Sequence, residues 1–259
     1  MRFYFIVLII LCLFFSCSDK KKSLIDVSNI NIDFSLKRYE VDFYNATEES
    51  LPKVKQKYPY LFPKEFTDSV SFIKIKDKQE QELFTETQKL YKDFSFVENQ
   101  LSLLFKHVKY YNPRFTEPNV ITMLTNIDYD NRMIYVDSLL LISLDVYLGS
   151  KHQFYGDYPI YIKENNTKDH IVVDAAKSII DQQVPLGIDR SFVGKMIHEG
   201  KKMYLLDVYV PLIPDAIKIG YAQDKFNWAT ANEEEVWMYF IDQKLLFSTD
   251  TKLNKRFLE

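Results

Sequence analysis

The stretch QEQELFTETQKLYKDFSFVENQLSLLFKHVKYY, residues 79–111, decides the fold class. Leu83, Leu90, Phe94, Val97, Leu101, Leu104, Phe105 and Val108 recur at steps of three and four. That spacing lines one face of a helix with apolar side chains. The spacing predicts a break near Asp93, a second helix capped by Ser95, and closure at Asn112-Pro113. Downstream, 120–127 reads as a strand, Asp128-Tyr129-Asp130-Asn131 as a turn and 133–136 as the partner strand of a hairpin. Residues 139–147 read as a further buried strand or helix start ending at Gly149, and 157–161 as a loop holding Pro159. Two helices follow, at 171–180 and 192–209, separated by a loop with Pro185 and Gly187. The second is crowded with Val193, Met196, Ile197, Met203, Tyr204, Leu206 and Val210, and Pro211 and Pro214 end it. Residues 220–228 read as a loop with a short turn. A last helix at 233–247 is expected to turn Val236, Trp237, Phe240, Ile241, Leu245 and Leu246 inward. Upstream, alternation at 30–34 continuing through 38–44 reads as a first strand. A helix at 48–60 stops before Pro59 in this reading. Pro63 and Thr67-Asp68 form a loop, and 71–75 is a short apolar–polar segment. The expected fold class is α+β, mainly helical with a small β-sheet.

The N-terminus sets the compartment. Arg2 is followed by an unbroken apolar run, 3–15, and then by Ser16-Cys17 and the polar Ser18-Asp19-Lys20-Lys21-Lys22. A membrane-crossing helix needs about 20 apolar residues, whereas a signal-peptide core takes roughly 7–15. A small residue directly before a cysteine at the end of such a run resembles the lipobox of bacterial lipoproteins. There the thiol takes a diacylglyceryl group and becomes the new N-terminus after cleavage. Phe14 and Phe15 are bulkier than that pattern usually carries. Cys12 and Cys17 are the two cysteines of the chain. Cleavage before Cys17 leaves one thiol and no disulfide, so the exported part must rely on its apolar core. The expected organisation is a lipoprotein-type signal peptide at 1–16, a lipidated Cys17 with a polar tether at 17–30, and one globular domain at 31–259.

Composition narrows the function classes. Hydrophobic residues at 47% and charged residues at 27% fit a globular chain rather than a disordered one. With 6 glycines the chain has none to form a Gly-rich phosphate-binding loop, and a net charge of −3 gives no sign of a nucleic-acid partner. The 18 Tyr and 20 Phe would suit a ligand-binding module, although aromatics more often fill a core than a pocket.

One constellation has the look of chemistry. Met196-Ile197-His198-Glu199-Gly200-Lys201-Lys202 lies inside the helix expected at 192–209. A zinc peptidase places a second His four residues after the first, so that two imidazoles on one helical face meet one metal, with the intervening Glu activating water. Here Lys202 stands at that second position. An ammonium offers donors and no lone pair, and it repels a metal cation. A third ligand would have to come from Glu233, Glu234 or Glu235. Catalytic zinc keeps three protein ligands, so the expectation is a degenerate motif at His198, Glu199 and Lys202, with no metal, no cofactor and no catalytic residue. The plain alternative is an ion-pair cluster with no chemistry. His107, His152 and His170 do not cluster in sequence and receive no role.

The segment His198-Glu199-Gly200-Lys201-Lys202-Met203-Tyr204 runs on to Asp207, Ile219-Gly220-Tyr221 and Trp228. Asn232-Glu233, Val236-Trp237, Phe240 and Leu246-Phe247-Ser248-Thr249-Asp250 follow. Together they resemble the gliding-motility lipoprotein family GldB of the Bacteroidota, most strongly over 189–259. The resemblance implies a palmitate-bearing, membrane-anchored lipoprotein of the cell envelope. It would be non-enzymatic, with partners among the proteins of the gliding or type IX secretion machinery. It also implies a fold like a degenerate zincin-type metallopeptidase, and a C-terminal segment of the family that the domain at 31–259 is expected to lack. The alternative is a zinc-dependent hydrolase using His198 and Glu199.

Overall fold

The computed structural model describes residues 24–258. Four strands form one mixed sheet: β1 (Leu36–Arg38), β2 (Asn119–Met123), β3 (Met133–Val136) and β4 (Leu139–Ser143). Their order is β1-β2-β4-β3. β1 and β4 run parallel to β2, and β3 is antiparallel to β4 on the edge. Val120, Ile121 and Thr122 of β2 are all fully buried, as expected for a parallel strand covered on both faces. Edge strand β3 alternates half-buried and exposed positions.

The helices are α1 (Tyr39–Tyr44), α2 (Leu51–Lys57), α3 (Asp68–Lys76), α4 (Lys78–Tyr91), α5 (Ser95–Tyr111) and α6 (Ile160–Lys163). After them come α7 (Lys168–Gln183), α8 (Phe192–Tyr209), α9 (Asp215–Ile219), α10 (Gln223–Ala231), α11 (Glu233–Asp242) and α12 (Thr251–Leu258). The protein is thus mainly helical with a small sheet, the α+β class expected from its periodicities. Five helices fill the crossover from β1 to its parallel partner β2. α7 packs on β3, α5 and α8. The buried core runs from Tyr39 to Val210 and is built on β2, β4, α5 and α7.

The break between α4 and α5 falls where the spacing put it. Asp93, rather than Ser95, does the capping: its Oδ1 accepts the Ser95 N–H at 2.9 Å. Val97, Leu101, Leu104, Phe105 and Val108 are buried as read, whereas Leu90 is exposed. α8 keeps the expected bounds, opened by Ser191 Oγ accepting the Gly194 N–H at 3.1 Å.

Four local readings change. The first strand is the short Leu36–Arg38, and 39–44 folds as helix α1. There Tyr39 and Phe43, four apart, both reach the core, a helical period that the alternation of 38–44 masks. The hairpin pairs β3 with β4 rather than with β2. Its turn is Asp137-Ser138, with Asp137 at φ 51°, a left-handed conformation that Asp tolerates. Residues 128–131 belong instead to the connection that carries the chain past β4 to the sheet edge. The segment at 71–75 lies within α3, capped by the Thr67 side chain, and 220–228 is largely α10.

Candidate functional site

The polar groups of interest meet where the ends of β3 and β4 face α7 and α8. Arg132 sits one residue before β3, and Tyr147 follows the short helical turn Leu144–Val146 after β4. Both reach Asp174 on α7. Arg132 Nε stands 2.9 Å from Asp174 Oδ2, Arg132 Nη2 donates to Oδ1 at 3.1 Å, and the Tyr147 hydroxyl donates to Oδ2 at 2.9 Å. The Arg132 guanidinium also stacks over the Tyr129 ring at 4.3 Å. Burial pushes the Asp174 carboxyl above its ordinary range, while Arg132, Lys177 and the Tyr147 hydroxyl pull it down. Arg132 Nη1 is buried without a hydrogen-bond partner.

One turn earlier on α7 lies His170, also buried, with Nδ1 2.8 Å from Thr167 Oγ1. Burial, reinforced by the positive charges of Lys177 and Arg132, brings its pKa down to about 4. One turn later stands Lys177, whose pKa burial lowers against the pull of Asp174. Residues 170, 174, 177 and 181 fall at steps of four, three and four, so they share one face of α7. Asp181 ends that row and meets α8: Lys202 Nζ is 2.9 Å from Asp181 Oδ1 and 3.4 Å from Glu199 Oε2. Burial depresses the Lys202 ammonium, but Asp181 and Glu199 outweigh it and raise its pKa.

The structure therefore does bring His198, Glu199 and Lys202 together, as neighbours on α8. His198 Nε2 lies 3.9 Å from Glu199 Oε1, a loose approach. Glu233, Glu234 and Glu235 open α11 as exposed residues. Among the described residues no three His, Cys, Asp or Glu side chains converge as metal ligands. What the arrangement does chemically is hold charge: a row of alternating ions runs from α7 to α8, best paired at its buried end. Cys17 lies outside the described residues.

Reading the sequence missed the buried end of this row. The available signal was a charge inside an apolar run: Asp174 follows Ile171-Val172-Val173 and precedes Ala175-Ala176. The same signal marks Asp145, between Leu144 and Val146. Its buried carboxylate accepts the backbone N–H of Ile127 at 2.7 Å and of Thr125 at 3.1 Å. Asn126 and Ile127 both have positive φ, 59° and 61°, an uncommon state for a β-branched residue. The Asp145 carboxylate thus ties down a strained bend. Burial raises its pKa to about 6 against those two N–H donors.

The facing of α8 also corrects the sequence. Ile197 and Tyr204, two of the apolar residues that crowd this helix, are 55% and 68% exposed. His198 and Lys202 are on the half-buried side instead, because α7 offers Asp181 there. In the same way Trp237 and Ile241 of α11 point largely to solvent, while Leu245 is buried.

Fold and site together define a mainly helical α+β protein whose central helix pair is bridged by ions. The chain belongs to the family of the gliding motility protein GldB, whose model matches residues 20–259. No curated protein and no solved structure matches it.

Proposed function

We propose that this protein is a lipoprotein of the cell envelope, anchored through an acylated Cys17, that serves the gliding and type IX secretion machinery by binding its proteins and not by catalysis. The observation that carries the reading is the family match over 20–259. Two features support its finer parts. No helix among the described residues is long and apolar enough to cross a membrane, which is compatible with a lipid anchor. The ammonium of Lys202 is paired with Asp181 and Glu199, so the position that would need a metal-binding lone pair holds a cation instead. The zincin-like ancestry implied by the resemblance belongs to this same proposal, as does a single domain over 31–259.

The C-terminal helices offer a surface for such contacts. Tyr221, Trp228, Val236 and Tyr239 line a groove of about 760 Å³ edged by Lys225 and Glu235. Trp228 is 62% and Phe247 82% exposed, and aromatic residues of this kind anchor protein interfaces.

The test is complementation of a strain lacking the native copy. Glu199→Gln is expected to restore surface movement or secretion fully, since its carboxylate activates no water here. Cys17→Ala is expected to shed the protein from membranes and abolish complementation. A normally accumulating Glu199→Gln that fails, with a chelator blocking the unmutated protein, would establish the hydrolase alternative.

A further inference from the structure

Helix α8 presents an apolar face that is left exposed among the described residues. Ile197 and Tyr204 are more than half exposed, and Leu212, in the turn that follows the helix, is 61% exposed. The face continues onto α5. Tyr110 and Tyr111 at its end are exposed, and the Tyr111 ring lies 6.2 Å from that of Tyr209 on α8 and 5.0 Å from that of Tyr110. It ends at the point where the described chain begins. Leu24, 55% exposed, shares a groove with Leu212, Lys106 and His107.

The position of Leu24 matters because of what precedes it. Seven residue steps separate it from Cys17, and a fully extended chain covers at most about 3.6 Å per residue, so roughly 25 Å. A compact chain of this size is about 45 Å across. A lipid on Cys17 therefore holds the Leu24 end of the molecule near the bilayer and keeps the opposite end away from it. The residues at that end suit the position. Tyrosines with exposed hydroxyls and apolar rings favour the headgroup level, and exposed leucines enter the acyl boundary. Lys20, Lys21 and Lys22 in the tether favour anionic headgroups.

We propose that the outer face of α8, with Leu212 and Leu24, rests on the lipid surface of the membrane that anchors the chain. The proposal relies on acylation of Cys17. It gives the protein a fixed orientation: the groove of α10 and α11 is held at a set height and angle instead of swinging on a tether.

The experiment uses the acylated full-length product, purified from envelopes and reconstituted into vesicles of phosphatidylethanolamine with a minority of phosphatidylglycerol. Acylation consumes the one thiol of the mature chain, so introduced cysteines label cleanly. Tyr204→Cys, Leu212→Cys and Leu24→Cys probe the face, and Ile73→Cys, on the exposed side of α3, is the reference. All four positions are exposed, and a melt matching the parent confirms folding. Nitroxide-bearing lipids are expected to quench a fluorophore at 204, 212 and 24 several-fold more than at 73. Equal quenching at all four sites in protein that floats with vesicles overturns the lipid-facing surface alone. Protein that does not float overturns the anchor, and the surface with it. Labels shielded from aqueous iodide in native envelopes but unquenched in vesicles would mark a face covered by protein, and also overturn it.

Discussion

Helices α7 and α8 are neighbours of nearly equal length, 16 and 18 residues, yet nine residues of α7 are buried and only three of α8. By composition α8 is the more apolar of the two. The difference lies in what surrounds them. α7 is enclosed by β3, α5 and α8, so even its polar residues must be paired inside the protein. α8 packs on α7, α5, α9 and α12, but most of its apolar residues are only half-buried, and Ile197 and Tyr204 are exposed. Apolar content thus measures how much surface a helix needs to cover, and not what covers it. In α7 the cover is the protein itself; in α8 the side of Ile197 and Tyr204 is left open among the described residues.

The largest expected effect comes from the enclosed helix. Asp174→Ala leaves Arg132 buried with neither carboxylate oxygen, and one of its nitrogens already lacks a partner. Breaking one side of a buried ion pair typically costs about 3–5 kcal/mol, and urea unfolding should show a loss of that size. Arg132→Met combined with Asp174→Leu should recover most of it, because apolar replacements remove the desolvation penalty on both ions. A loss in Asp174→Ala no larger than that of an exposed pair would mean that α7 is no better enclosed than α8.

The second effect is pH-dependent and also confined to α7. His170 is neutral in the fold, with its pKa brought down to about 4, whereas an unfolded His titrates near 6.5. A depressed pKa contributes stability that is present above about 6.5 and is lost as pH falls toward 4, because the unfolded chain takes up the proton first. Asp145 works in the opposite sense. Its raised pKa of about 6 favours the fold at low pH, and that contribution is lost as pH rises through 6. The two partly cancel in the whole protein, so the difference between parent and variant is the quantity to follow. His170→Asn should narrow its stability gap to the parent by about 2–3 kcal/mol between pH 7 and pH 4. A gap that stays constant across that window would place His170 in contact with water.

Much of this contrast was only half legible in the sequence. The 3.6-residue period of 79–111 identified α4 and α5, and Pro211 marked the end of α8, because periodicity and breakers act locally. Sheet order was not legible. The Asp128–Asn131 cluster looks like a hairpin turn, but strand pairing is decided by which strand lies between the others, and nothing local encodes that β4 inserts between β2 and β3. The site was legible only as a motif. His198, Glu199 and Lys202 were found, and their partner Asp181 was not, since it lies on another helix. Asp174 was missed for a simpler reason: a lone acid in an apolar run gives no motif, only a demand for a buried partner. The apolar crowding of α8 did not say which of its residues meet the core, because periodicity finds a face and leaves open which side of the helix the core is on.

The smallest expected effect tests that last point directly. Ile197 is 55% exposed and Leu206 1% exposed on the same helix. Leu206→Ala removes a side chain that α8 buries in the core and should cost about 2–5 kcal/mol, as large-to-small core substitutions do. Ile197→Ala removes atoms that already face water, and surface changes of this kind usually stay within about 0.5 kcal/mol. Thermal melts of the two variants in detergent-free buffer should therefore separate clearly, with Ile197→Ala close to the parent. A near-neutral Ile197→Ala leaves unexplained why an isoleucine stands there, unless the face meets lipid or a partner when the protein is in place. If Ile197→Ala instead falls as far as Leu206→Ala, the outer face of α8 is packed by the chain itself, and the contrast between the two helices is lost.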